Sequence, residues 1–319
     1  MDAKGKKIFV GLSGGVDSAV SAALLKQDGA EVTGVFIKGW YPPWMSCSWA
    51  EERRDAMRVA ARLHIQFRTL DASVEYKKSV IDYLLAEYRA GRTPNPDVMC
   101  NKEVKFGAFY RYTMDAGAGA IAMGHYRSGE KDQSYFLWAV PKAILDATIF
   151  PVGKMEKNYV RALAKKFNLP IAEKKDSQGV CFLGSVSVKE FLLHELGNDN
   201  PALLYTIGQR VGGEDMSVVE FEKQGPWFVV EKNVEKKEIK VSKIRAANAP
   251  KEIIFTDANW FSKPENVTEA QYRYRGPRVV GYVKGDRFIS SEPFPDIPAP
   301  GQSIVFYNSD ELVGGGIIV

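Results

Sequence analysis

The chain has 319 residues, 45% hydrophobic and 26% charged, with 43 Lys and Arg against 39 Asp and Glu for a formal charge of +4. This balance excludes a disordered or collagen-like chain, leaves length for two or three domains, and permits an anionic partner without requiring one. The longest apolar runs, such as Ile8–Leu12 and Val32–Ile37, fall far short of the roughly 20 residues that cross a bilayer, and Met1–Lys7 carries no secretory signal, so a cytoplasmic protein without a membrane partner is expected.

The first half alternates short apolar strands with amphipathic helices. Lys7–Leu12 reads as a buried strand, followed by a glycine-rich turn and a helix from about Asp17 to Gln27 that Gly29 closes. Further strands are predicted at Glu31–Lys38, Ile65–Leu70 and Ala120–Met123, and helices at Glu51–Leu63, Val74–Tyr88 and Lys102–Met114. Such alternation implies an α/β fold, a Rossmann-like parallel sheet with helices on both faces. Ser185–Gly213 holds one helix and a Gly/Asn-rich stretch too small to bury much core alone. From about Trp227 the pattern changes to short alternating runs, Trp227–Glu231, Glu238–Ser242, Arg278–Lys284 and Ser303–Tyr307, which predict an antiparallel sheet or small barrel. The expected domains are a nucleotide-binding domain over residues 1–184, a shortened central domain over residues 185–218, and a β-barrel-like domain over residues 219–319.

Gly11-Leu12-Ser13-Gly14-Gly15-Val16-Asp17-Ser18 joins the first strand to the first helix. Glycines let backbone N–H groups close on phosphate oxygens, Ser13 and Ser18 add hydroxyls, and the helix N-terminus adds its dipole. Neither GK[ST] nor GxGxxG is present, so the P-loop and dinucleotide patterns do not apply. The SGGxDS string resembles the PP-loop of the ATP pyrophosphatase superfamily, which implies adenylation of a substrate at the α-phosphorus of ATP. Asp17 is the acid best placed to help hold Mg²⁺ on the triphosphate, and equally well placed to be the helix N-cap.

The three cysteines, Cys47, Cys100 and Cys181, are too few for a disulfide scaffold and form no CxxC pair. Cys100 ends a proline-stiffened stretch, Gly91-Arg92-Thr93-Pro94-Asn95-Pro96-Asp97-Val98-Met99-Cys100, just before a predicted helix whose dipole would favour its thiolate. That makes it a candidate nucleophile, with Asp97 a candidate general acid or base; the alternative is an inert buried thiol. Cys181 follows Lys174, Lys175 and Gly179, and two thiols that meet in space exchange sulfur through a persulfide or disulfide. Cys47 reads as structural, and His64 and His194 as packing or surface residues. Gln271–Phe288 sets Arg273, Arg275, Arg278, Lys284 and Arg287 among Tyr272, Tyr274 and Tyr282, and Lys154–Lys175 is also basic; such mixtures suit phosphate contact and base stacking, or a solvated face.

The strings GLSGGVDS, GRTPNPDVMCNKEVKFG, MGHY, KDQSYFL, KKDSQGVCF, YTIGQR, PWFVV, PAPGQSIVFY and GGGII occur in the order found in bacterial tRNA-specific 2-thiouridylases, which the chain resembles through nearly its whole length. The resemblance implies sulfuration of the wobble uridine of lysine, glutamate and glutamine tRNAs. By it Gly11, Leu12, Ser13, Gly14, Gly15, Val16, Asp17, Ser18, Ile37 and Gly124 contact ATP, and Asn95, Pro96 and Asp97 face the target base. Cys100 is then the nucleophile and Cys181 the persulfide carrier, while Lys131, Asp132, Gln133, Arg273 and Tyr274 touch tRNA. A cysteine desulfurase, directly or through relay proteins, is the implied sulfur donor, and a labile iron–sulfur cluster on the cysteines is the alternative to a persulfide. Two segments are shorter than the family pattern, the hairpin before Lys131 and the stretch between Phe191 and Tyr205. Ile37 stands where the family usually has methionine. Another PP-loop synthetase or a non-catalytic RNA-binding relative are the competing classes.

Overall fold

The computed structural model describes residues 3–45, 49–175, 186–197, 200–211, 226–245 and 249–319. Cys47 and Cys181 lie outside the described residues. The chain divides into two compact units, Met1–Ile81 with Asp97–Ser185, and Asp82–Pro96 with Val186–Val319.

The first unit begins with β1 (Lys7–Gly11), α1 (Val16–Gln27), β2 (Glu31–Lys38), α2 (Trp49–Leu63) and β3 (Gln66–Asp71). The helix α3 (Ser73–Tyr76) runs on through a π-helical stretch, Lys77–Asp82, into α4 (Tyr83–Arg89), which is counted with the second unit. A second long helix starts as α5 (Pro96–Met99), widens to π-helix over Cys100–Ala108, and ends as α6 (Phe109–Asp115). Then come β4 (Ala120–Ala122), a 3-10 turn at Ser134–Phe136, α7 (Lys142–Asp146), β5 (Thr148–Ile149) and α8 (Lys157–Lys166). All five strands are parallel, in the order β3-β2-β1-β4-β5. Ile8, Phe9 and Val10 are fully buried, as a central strand covered on both faces requires. Ile8, Val10 and Leu12 share one core with Val16, Ala19 and Val20 of α1, Ala56 and Val59 of α2, and Val160 and Leu163 of α8. The order reverses between β1 and β4, and the crevice beyond the strand ends at such a switch point is where open α/β sheets bind ligands.

The parallel sheet expected from the sequence is present, with Glu31–Lys38 matched end to end. The helix around Cys100 differs from expectation. Pro96, pre-set in φ for a first helical turn, starts it early, so Cys100 lies a full turn inside rather than just before it.

In the second unit α9 (Val188–Leu196) opens with a capping box between Ser187 and Glu190, and α10 (Pro201–Leu204) is capped by Asn200. The sequence pattern predicts one helix here; the Asn-Pro start signals the second. Three antiparallel strands follow, β6 (Arg210–Val211), β7 (Trp227–Asn233) and β8 (Glu238–Ser242). The last six, β9 (Glu252–Trp260), β10 (Glu269–Gln271), β11 (Val279–Lys284), β12 (Arg287–Ser290), β13 (Ser303–Asn308) and β14 (Glu311–Ile318), close into a barrel in the order β10-β11-β12-β9-β14-β13. Its interior holds Phe255, Phe288, Phe294, Ile304 and Val313, with Trp260 stacked on Phe306 at 5.1 Å between ring centroids. Closure leaves no open edge to pair with another chain. Among the described residues no helix is long and apolar enough to cross a membrane.

Candidate active site

The turn between β1 and α1 is held by its own hydroxyls. Ser18 Oγ accepts from the Ser13 amide at 3.2 Å, lies 3.2 Å from Ser13 Oγ, and donates to the Gly15 carbonyl at 3.1 Å. Gly14 has φ +75°, and a Cβ there would stand 2.4 Å from the Glu52 carbonyl oxygen. At Gly124, just past β4, a Cβ would fall 2.8 Å from the Ser18 amide nitrogen. Gly14 is therefore a condition for the loop to pass the first turn of α2, and Gly124 for the end of β4 to meet the start of α1 at the switch point. α1 begins at Val16 from an extended Gly15 with no side-chain cap, so Asp17 is not the N-cap and the helix N-terminus faces the loop without a capping side chain. Leu12 is buried and donates its amide to the Val35 carbonyl, while Ile37 lies half-buried near the end of β2.

Asp17 points elsewhere. Its Oδ1 accepts from Lys157 Nζ at 2.7 Å and from the Tyr126 hydroxyl at 2.7 Å, and Lys157 reaches Oδ2 at 2.9 Å. Lys157 Nζ also stands 5.8 Å from the Tyr126 ring centroid. Both Asp17 oxygens are thus engaged, and a carboxylate is the ligand type that Mg²⁺ takes beside phosphate oxygens and water, so Asp17 fits such an ion by chemistry.

Asp97, half-buried at the second position of α5, has its carboxyl pushed above the ordinary range by burial, against the opposing effect of the Lys105 ammonium. Cys100 is 2% exposed, and Asn101 beside it donates to the Phe136 carbonyl at 3.0 Å. His125, next to Gly124, is neutral over the physiological range: burial, with Lys105 adding to it, pulls it down to about 3. Its ring sits 5.5 Å from Phe106 and edge-on to Phe150 at 6.3 Å, and its Nδ1 is buried with no hydrogen-bond partner among the described residues.

Lys131, Asp132 and Gln133 lie in a turn closed on Tyr126. Gln133 Oε1 accepts the Tyr126 amide at 3.1 Å, and Asp132 Oδ1 accepts the Ser134 amide at 2.8 Å. In the second unit Asn95 and Pro96 are half-buried, and Tyr274 carries the Arg275 guanidinium 5.2 Å from its ring. Arg273 donates to the Ile207 and Ile297 carbonyls at 3.0 and 3.2 Å and pairs with buried Asp296 at 3.3 Å. The basic and aromatic stretch thus divides. Tyr272 is buried, and Arg278 lies over Tyr307 at 3.9 Å, whereas Tyr282, Lys284 and Arg287 are exposed.

Four residues that the motifs do not single out enter the site: Tyr126, Lys157, Lys105 and His125. Lys157 belongs to a basic run that suits an RNA surface, and His125 and Tyr126 to the MGHY string; nothing in the spacing shows that the strand order brings Lys157 and Tyr126 to Asp17. A cavity of about 360 Å³, lined by Lys26, Arg62, His64 and Lys166, lies at the far end of α1, away from this site. His64 and His194 are exposed, as expected from sequence. No group of three or more His, Cys, Asp and Glu at metal-binding distance occurs among the described residues.

A family model described as the tRNA methyl transferase HUP domain matches residues 6–185, and one described as the aminomethyltransferase beta-barrel domain matches residues 250–318. Among solved structures, a 4-thiouridine synthetase–RNA complex with bound ATP aligns over 62% of this chain and 51% of its own, at 18% identity and a TM-score of 0.38. The tRNA-specific 2-thiouridylase MnmA of Streptococcus thermophilus is 38% identical over 355 residues, covering 98% of this chain and 95% of its own length. That of Geobacillus thermodenitrificans is 39% identical over 362 residues, covering 98% and 94%. Each alignment has more positions than this chain has residues, so some of each relative has no counterpart here. With likeness running through almost the whole of both partners, and a family model spanning more than half of the chain, the protein belongs to the tRNA-specific 2-thiouridylase (MnmA) family.

Proposed function

We propose that this protein is an ATP-dependent tRNA 2-thiouridylase acting on the wobble uridine of lysine, glutamate and glutamine tRNAs. The observation that carries the reading is the glycine loop at the sheet's switch point, meeting an uncapped helix N-terminus, in a chain of this family. Backbone donors of Gly11–Ser18 take the phosphates of ATP, Ile37 and Gly124 line the nucleotide, and Asp17, with Lys157, serves the Mg²⁺ and phosphate charge. Asn95, Pro96 and Asp97 face the target base. The C2 oxygen of uridine attacks the α-phosphorus and pyrophosphate leaves. Sulfur from a Cys181 persulfide then forms the C2–S bond as AMP departs, either by direct attack or as sulfide freed by the Cys100 thiolate. In either route the Cys100 thiolate breaks the S–S bond at Cys181, releasing sulfide before the attack or the thiouridine after it, so that a Cys100–Cys181 disulfide remains, to be reduced before the next turnover. Asp97 moves the protons; burial raises its pKa and so makes its carboxylate a better acceptor.

Lys131, Asp132, Gln133 and Tyr274 are assigned to the tRNA side, with Arg273 as the residue that holds that surface through Asp296 and two backbone carbonyls rather than as a phosphate contact, and a cysteine desulfurase or a relay protein to the sulfur supply. The two family models, covering 6–185 and 250–318, support a catalytic domain over residues 1–184 and a barrel within residues 219–319, and the short central domain over residues 185–218 rests on the sequence pattern alone. The test is incubation with unmodified glutamate tRNA, Mg-ATP and sulfide, followed by nucleoside mass spectrometry and a count of AMP. Thiouridine matched by AMP is expected. AMP without thiouridine would move the protein to another PP-loop substrate, and neither product would sink the enzymatic reading.

A further inference from the structure

The segment that leads to Asp97 and Cys100 is tied to the rim of the barrel. The Thr93 amide donates to the Pro300 carbonyl at 2.8 Å. Gln302 Nε2 donates to the Thr93 carbonyl at 2.8 Å and to the Pro94 carbonyl at 3.3 Å. Thr93 Oγ1 meets Thr206 Oγ1 at 3.3 Å, and Arg92 holds Glu87 through two bonds of 2.6 Å. Between the two anchors Gly301, at φ +88°, approaches so closely that a Cβ would stand 3.0 Å from the Thr93 backbone. The rim is itself fixed. Gly301 donates to the Ile318 carbonyl at 2.8 Å, Ile318 donates back to the Gln302 carbonyl at 2.8 Å, and Gln302 donates to the Ala299 carbonyl at 3.1 Å.

Three residues separate Thr93 from Asp97, and two of them, Pro94 and Pro96, have φ locked by their rings. A constraint at Thr93 and Pro94 is therefore handed along the chain with little conformational slack. We propose that the barrel rim, through Pro300, Gly301 and Gln302, is a positioning element for the Thr93–Pro96 segment, with Gln302 a positioning residue that fixes the backbone on which Asn95 is presented. The catalytic side of this inference rests on the thiouridylase reading; the clamp itself does not. The amide of Gln302 suits the task because one NH₂ group reaches two adjacent carbonyls. A glutamate of the same shape would set oxygen against oxygen.

Gln302→Leu, Gln302→Glu and Gly301→Val are made in the full chain and compared with the unaltered protein. Hydrogen exchange is read in peptides spanning Arg92–Met99, where the two prolines leave few amides to resolve. Thiouridine formation is measured against tRNA concentration. Expected are at least tenfold faster exchange at Thr93 in Gln302→Leu, faster still in Gln302→Glu, and a fall in kcat of about tenfold with KM for tRNA within twofold. A raised KM with kcat unchanged would make Gln302 an RNA contact and overturn the proposal, as would unaltered exchange at Thr93 in all three variants. If the unaltered protein makes no thiouridine, the functional reading fails, and the exchange data alone decide the clamp.

Discussion

Lys157 occupies the first position of α8, where the helix dipole disfavours a cation, and the Asp17 carboxylate compensates. The pair is mostly shielded, with side chains 14% and 30% exposed, so Lys157→Met should cost about 1–3 kcal/mol, less than a fully buried pair, and slow AMP release more than it weakens tRNA binding. Denaturant unfolding beside an AMP assay checks both; wild-type AMP release would remove Lys157 from the phosphate site. His125 carries a pH signature. Its folded pKa near 3 lies below the ordinary 6.5, so the unfolded chain binds the proton first, and stability is lost as pH falls from about 6.5 toward 3. Between pH 7 and 4.5 the loss from this group is about 3 kcal/mol. Asp97, with its pKa raised, works in the opposite sense: its native carboxyl takes a proton before the unfolded one, which offsets some of the loss at the acid end. In His125→Phe the fall between pH 7 and 4.5 should shrink by about 2–3 kcal/mol in urea titrations; an unchanged slope would show that another group titrates.

The wide helix over Cys100–Ala108 is the element least expected from sequence. Patterning places a helix there, since Val104, Ala108 and Phe109 recur at helical spacing, but hydrophobic period does not separate 3.6 from 4.4 residues per turn over two turns. Gly107 marks the difference. A Cβ there would sit 2.8 Å from the Lys102 carbonyl, five residues back. In an ordinary helix Gly→Ala stabilises by about 0.5–1 kcal/mol. Here Gly107→Ala should destabilise by about 1–3 kcal/mol through crowding, and the sign of the change in urea midpoint decides between the two helix types. The early start at Pro96 also bears on chemistry, because it sets Cys100 in a second turn, beyond the reach of the end-of-helix dipole expected for it from sequence.

At the scale of the whole molecule, the second unit is stitched by side chains far apart in sequence, and Arg273 is the clearest case. Asp296, 8% exposed, pairs with Arg273 and with Arg245, and the Asp296 amide donates to the Tyr272 hydroxyl. Arg273→Ala should therefore lower stability by about 1–3 kcal/mol and change the salt slope of tRNA binding by less than the roughly one unit that a lost phosphate contact would give. A fall of a full unit would place its guanidinium on RNA. The parallel sheet, its nucleotide loop and the later β-rich region were legible in the chain, because period, glycine and proline are local properties that backbone sterics convert directly into structure. Strands β9, β10, β12 and β14 were not singled out. β10 has three residues, and β14 runs through Gly314–Gly316, which carry no side chain to alternate. The motifs also named the candidate residues around Cys100, Asp97 and the loop. Which partners meet them was decided by tertiary structure alone: Lys157 lies 140 residues from Asp17, and Gln302 lies 209 from Thr93. Those contacts depend on strand order and barrel closure, which bring distant segments together at no spacing that a linear pattern records.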